Sequence, residues 1–249
     1  MIYRLGIGDI LITKMVFDNH NLNHKFKIYK PFIQDYRENS EEYLNFIIQL
    51  SKKLFKQDTI EVVFSHESIF DNTKYKIEDL DLSKYFKIKK EIDEDYLVFH
   101  TKIRLDGESK AFLSEQKQAF NSFLKNFKTS KKIVLLGERE IPDKFNQNVI
   151  YKDLLVLKDN NDIIDLTEEK MITSPKWELF ERDVSIIHNA DLNIGIGYGG
   201  NMVISSAFSD KNCFYIGNLK HNYFNSCRNS VFSDLGKFFN KINKEQTNG

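Results

Sequence analysis

The chain has 249 residues, 41% of them hydrophobic, and 29% charged residues whose signs cancel to a formal net charge of +0. That length makes one large domain or two small ones, and the apolar fraction supplies a real core. The balanced charge excludes a global field for nucleic acid or an anionic membrane, and two cysteines, Cys213 and Cys227, do not make a disulfide framework. Cys213 sits in an apolar run and reads as a buried small hydrophobe in a reducing compartment. With no basic region leading into a long apolar stretch, and no run long enough for a bilayer, a cytoplasmic location is expected.

Met1 to Leu5 reads as a short buried strand, Gly6 to Gly8 as a turn, and Asp9 onward as a helix with a carboxylate in its first turn. Residues 20–40 are poorly patterned, with room for one strand around Phe26–Tyr29. Ser40 opens a helix whose Leu44, Ile47, Ile48 and Phe55 share a face. Thr59–Phe64 is β-branched and reads as a strand. Residues 66–95 are polar, with a short helical turn at Asp81–Phe86.

The pattern then restarts. Tyr96–His100 reads as a strand ending in the polar run Thr101-Lys102-Ile103-Arg104. Ser114 is a candidate cap for a helix carrying Phe120, Phe123, Leu124 and Phe127 on one face. Lys132–Leu136 is a buried strand stopping at Gly137, and Asn148–Ile150 a weak one. Trp177, Phe180, Val184 and Ile187 mark the core face of a helix. Leu192–Ile196 is a strand, Gly200–Phe208 a helix, and Asn212–Ile216 a last strand; from Asn240 the chain reads as frayed. Alternating strands and helices predict parallel sheets covered on both faces. The expected division is 1–94, a reduced N-terminal lobe, 95–240, a second lobe, and 241–249, a disordered tail.

Two glycine-rich turns carry the chemistry. The first is Leu5-Gly6-Ile7-Gly8-Asp9-Ile10-Leu11. It lacks the third glycine of the dinucleotide fingerprint, and Lys14 has the wrong spacing for a phosphate-loop lysine. It does place Asp9 at the carboxyl end of a parallel strand, where an aspartate can act as a general base. The second is Ala190-Asp191-Leu192-Asn193-Ile194-Gly195-Ile196-Gly197-Tyr198-Gly199-Gly200-Asn201-Met202. The amides of Gly199, Gly200, Asn201 and Met202 suit a diphosphate at a helix start, and Tyr198 and Asn201 add side-chain donors. Lys102 and Arg104 alternate along an extended segment and form a candidate diphosphate clamp. Glu138 follows a strand end and is a candidate for holding a ribose or base. His66 follows the Phe64 strand on the first lobe's side. His20 and His24 stand four apart on an unpatterned segment, and no set of residues has metal-ligand spacing.

Together the two turns resemble the heptosyltransferase-like branch of glycosyltransferases with the two-lobed GT-B fold. The family's opening Gly-x-x-Gly-Asp-x-Leu-type turn is matched by Leu5–Thr13, and its second-lobe strand ending in glycine and an acid by Ile133–Glu138. Its Ala-Asp, strand, turn and small-residue helix are matched by Ala190–Met202 and Ser205-Ser206-Ala207. The family's turn aspartate is Gly197 or Tyr198 here, and its histidine is Val203. The resemblance implies an α/β chain of two facing Rossmann-like lobes with parallel sheets, the first reduced. It implies metal-independent transfer of a sugar, with inversion, from a nucleotide-diphosphate donor to a glycan or other hydroxyl acceptor. Asp9 would be the catalytic base, with Lys102, Arg104, Glu138, Tyr198, Gly199, Gly200, Asn201 and Met202 on the donor, and Gly6, Gly8 and His66 on the acceptor side. No cofactor is expected beyond the nucleotide sugar as substrate. The reduced lobe leaves two alternatives: a degenerate relative that binds a nucleotide or glycan without turnover, or another small Rossmann-type enzyme. Many Phe and Tyr residues in a short lobe leave room for a homo-oligomer contact.

Overall fold

The computed structural model describes residues 2–3, 6–22, 25–29, 40–63, 75, 81–104, 107–140, 147–167, 176–196, 200–216, 229–232 and 234–247. The first half builds β1 (Ile2–Tyr3), α1 (Ile7–Asn19), β2 (Lys27–Tyr29), α2 (Ser40–Phe55) and β3 (Glu61–Val63). Its three strands are parallel in the order β1-β2-β3. A 3-10 turn at Ser83–Tyr85 then leads into the second half.

There β4 (Tyr96–His100), β6 (Lys132–Leu136), β8 (Ile163–Asp165), β9 (Leu192–Ile196), β10 (Asn212–Ile216) and β11 (Asn229–Phe232) form one parallel sheet. Strands β4, β6, β9 and β10 are near-continuous apolar runs because both faces of the sheet are covered. On one face pack α3 (Gly107–Asn126), α4 (Tyr151–Leu154) with the 3-10 turn after it, and α7 (Leu235–Thr247). On the other lie α5 (Trp177–Asn189) and α6 (Gly200–Phe208). The remaining strands, β5 (Lys102–Arg104) and β7 (Gln147–Val149), pair antiparallel as a separate ribbon.

The sheet order is β11-β10-β9-β4-β6-β8. Counted from β4, this is the doubly wound order 3-2-1-4-5-6, which reverses direction between its first and fourth strands. The reversal therefore falls between β4 and β9, and ligands of such sheets bind beyond the carboxyl ends of those strands.

Helix α1 joins the halves. Its residues Ile10 to Phe17 are all buried, Thr13 and Lys14 included, so it shows no polar face. A helix apolar on every side belongs inside a protein. It packs on both α2 and α6, and one hydrophobic cluster runs from Ile10, Phe26 and Leu50 through to Val98, Val184 and Phe208. Fully burying each of Ile10, Leu11, Met15 and Val16 contributes about 1.5–3 kcal/mol. Lys14 is tolerated because its Nζ reaches Asp18 Oδ1 at 2.6 Å and lies over the Tyr85 ring at 4.7 Å.

Two sequence expectations need correction. Helix α3 starts at Gly107 and not near Ser114, so Ser114 is no cap. The expected disordered tail over 241–249 is largely helix: α7 runs to Thr247 and buries Ile242. Its Leu235, Phe238, Phe239 and Ile242 repeat at helical spacing within a Lys- and Asn-rich stretch, and Phe239 stacks on Phe123 at 3.9 Å.

Candidate functional site at the sheet's carboxyl edge

Helix α6 opens at Gly200, four residues beyond the end of β9, and so begins at the edge where the strand order reverses. The helix α1 opens at the same end of the molecule. Segment 82–85 fixes this, because it touches the far end of both helices. The Leu82 N–H donates to Ala207 O at 2.7 Å, and the Tyr85 hydroxyl donates to Asp18 Oδ2 at 2.9 Å. From there the two helices rise side by side, α1 by about 14 Å back to Asp9 and α6 by about 11 Å back to Gly200. Both first turns then direct their open N–H groups and the positive end of the helix dipole to one region.

Within the first turn of α1, Asp9 Oδ2 accepts a hydrogen bond from the Gly6 N–H at 3.3 Å. This is the N3-to-N-cap half of a capping box. A Cβ at position 6 would stand 2.8 Å from that carboxylate oxygen, so a larger residue there would push the Asp9 side chain aside. Gly8 lies in the helix, partly exposed.

The anchor of α6 is a buried polar set; the sequence placed His100 beside Lys102 and Arg104 at the strand end facing the donor, but not its buried partners. His100, last residue of β4, has its Nε2 at 2.7 Å from Ser205 Oγ of α6. Ser205 is also hydrogen-bonded with Tyr215 of β10. Gly195 of β9 makes room for the Tyr215 ring: a Cβ at 195 would lie 2.4 Å from it. Asn193 of β9, fully buried, donates to Ile187 O at 3.1 Å and to Ser209 Oγ at 3.0 Å. Burial pushes the His100 imidazole down to about 4, with Asn193 opposing the shift, and raises the Tyr215 phenol well above its usual range. Both groups are therefore neutral at pH 7. Asn193 inside an apolar strand and paired serines inside an apolar helix were the available signals.

Glu138 follows Gly137, whose φ of 120° only glycine adopts readily. The residue is buried, and its carbonyl accepts from Thr101 Oγ1 at 2.7 Å, tying the ends of β4 and β6 together. Beside it is a second set missed because Ile163–Asp165 was not recognised as a strand. The Tyr151 hydroxyl donates to Asp165 Oδ2 at 2.7 Å, Thr167 Oγ1 to Asp165 Oδ1 at 2.6 Å, and Arg139 Nε to Thr167 Oγ1 at 2.8 Å. The Asp165 carboxyl lies below its usual range: desolvation acts to raise it, and the Thr167 and Tyr151 hydrogen bonds outweigh that.

Lys102 and Arg104 fall on β5, directly after β4, two residues apart on the ribbon. Gly200, Asn201 and Met202 occupy the first turn of α6. Tyr198, Gly199 and His66 lie outside the described residues. Gly200 follows the end of β9 and Glu138 the end of β6, while α1, which carries Asp9, packs on α6. His20 packs against Tyr75 with the rings tilted and their centroids 5.1 Å apart. Among the described residues no three His, Cys, Asp or Glu side chains group as a metal site, and no helix is long and apolar enough to cross a membrane. Compared with protein-family models, curated proteins and solved structures, the chain matches none.

Proposed function

We propose that the chain is an inverting glycosyltransferase of GT-B type, with a reduced acceptor lobe and a cytoplasmic site of action. The observation that carries this reading is the common end shared by the first turns of α1 and α6 at the strand-order reversal. A nucleotide-diphosphate sugar would lie with its phosphates on the amides around Gly200 to Met202 and on Lys102 and Arg104. Glu138, at the end of the second strand, is where a doubly wound sheet places an acid for ribose. The Asp9 carboxylate takes the proton of the acceptor hydroxyl, and that oxygen attacks the anomeric carbon from the face opposite the diphosphate. The new C–O bond forms as the old one breaks, and the electron pair leaves with the diphosphate. Helix amides and cations neutralise the departing charge.

One observation favours a second reading, a nucleotide-binding protein without turnover: Asp9 is engaged in capping its own helix. A thermal-shift screen with nucleoside diphosphates, followed by transfer assays with a panel of nucleotide sugars, tests both. Stabilisation with turnover supports the transferase. Stabilisation without turnover supports the binding protein, and no stabilisation by any diphosphate removes both.

A further inference from the structure

A groove of about 580 Å³ lies where the C-terminal turn of α2 meets the start of α5, away from the carboxyl-edge site. The two helices are joined there by Lys53, whose Nζ pairs with Glu181 Oε1 at 2.7 Å and sits 4.8 Å over the Phe86 ring. Lys53 is thus structural. The groove's other cations, Lys52 and Lys56, are exposed, and among the described residues neither has a carboxylate partner. Gln57 Oε1 is occupied by the Phe26 N–H at 3.1 Å, which leaves the amide NH₂ as the group to donate. The Trp177 indole, on the α5 side, has no acceptor for its N–H among the described residues. Donors therefore dominate the lining. The carboxylate among the lining residues, Asp58, suits a hydroxyl and repels a second anion.

Lys56 is also the residue that closes α2. It has φ 52°, and the Gln57 N–H returns to Lys52 O at 3.3 Å, a Schellman closure. The equivalent closure of α1 uses Asn21 at φ 50°, a residue that tolerates this conformation. A lysine there is strained where glycine would not be, and strain of this kind concentrates at binding positions.

We propose that this groove binds a phosphate monoester, with Lys52 and Lys56 on the phosphate and the Gln57 amide and Trp177 N–H completing the donor set. Trp177 is the chain's single tryptophan and lines the groove, so its fluorescence reads one known position there. Titration at low salt with inorganic phosphate and with ribose 5-phosphate should give a saturable change in emission. Equal binding of both means that the anion alone is recognised; tighter binding of the ester means that the ring is held as well. Lys52→Gln and Lys56→Gln should each weaken binding roughly three- to tenfold, an exposed charge contact converted to affinity. Lys56→Gly separates ligand from structure: it should weaken binding while raising Tm by about 2–4 °C. No saturable change with either probe, a change that survives the double Lys52→Gln/Lys56→Gln variant, or full affinity in Lys56→Gly would overturn the proposal. None of these readouts depends on sugar transfer at the sheet edge.

Discussion

Acidification should loosen the attachment of α6 to the sheet through a single buried group. His100 is 4% exposed and is held at about 4 by desolvation, against about 6.5 in an unfolded chain. Between those values the unfolded state binds the proton and the folded state does not. Stability is therefore complete above about pH 6.5 and falls as the pH drops toward 4. Going from pH 7 to pH 5 should cost about 2 kcal/mol from this group, and the full shift of about 2.5 units corresponds to about 3 kcal/mol. The lowered carboxyls of Asp165 and Asp191 act elsewhere on the scale, since their contribution is lost only below about 3.8. Urea unfolding at pH 7, 6 and 5 measures the slope. His100→Gln keeps a polar partner for Ser205 Oγ but cannot titrate, so its stability should change by less than half as much over this range. Equal slopes in both proteins would refute the reasoning.

Asp9→Asn should lower transfer by roughly 10²–10⁴-fold in a product-release assay, with a Tm within a few degrees of the parent; undiminished turnover would remove Asp9 as base. Gly195→Ala drives a methyl into the Tyr215 ring and should cost about 1–3 kcal/mol in urea unfolding, while a neutral result would show that the ring can move aside. Ile242→Ala should cost about 2–5 kcal/mol, because the residue is fully buried on the core face of α7; loss of only a few tenths would mean that the C-terminal helix does not dock.

The alternation of strand and helix was legible because both periods are local. Leu192–Ile196, Lys132–Leu136 and Tyr96–His100 are predominantly apolar, broken only by Asn193, Lys132 and His100, and the helix at Trp177 repeats its apolar residues every three or four positions. The two glycine turns were legible for the same reason. Strands of three or four residues, such as Ile163–Asp165 and Asn229–Phe232, carry too few side chains to set a period, so only their pairing with β6 and β10 defines them. The C-terminal helix was hidden by its Lys- and Asn-rich composition, which tertiary burial of Phe238 and Ile242 overrides.

By itself, then, the order of residues determined the α/β class, the helix that follows the first glycine turn and the presence of glycine at positions 6, 8, 195 and 200. It could not set the strand order, because that depends on contacts between residues far apart in the chain. Tertiary structure alone placed the reversal between β4 and β9, and brought the first turns of α1 and α6 to one edge through segment 82–85. It also set His100 against Ser205, a pair 105 residues apart whose proximity no local period encodes.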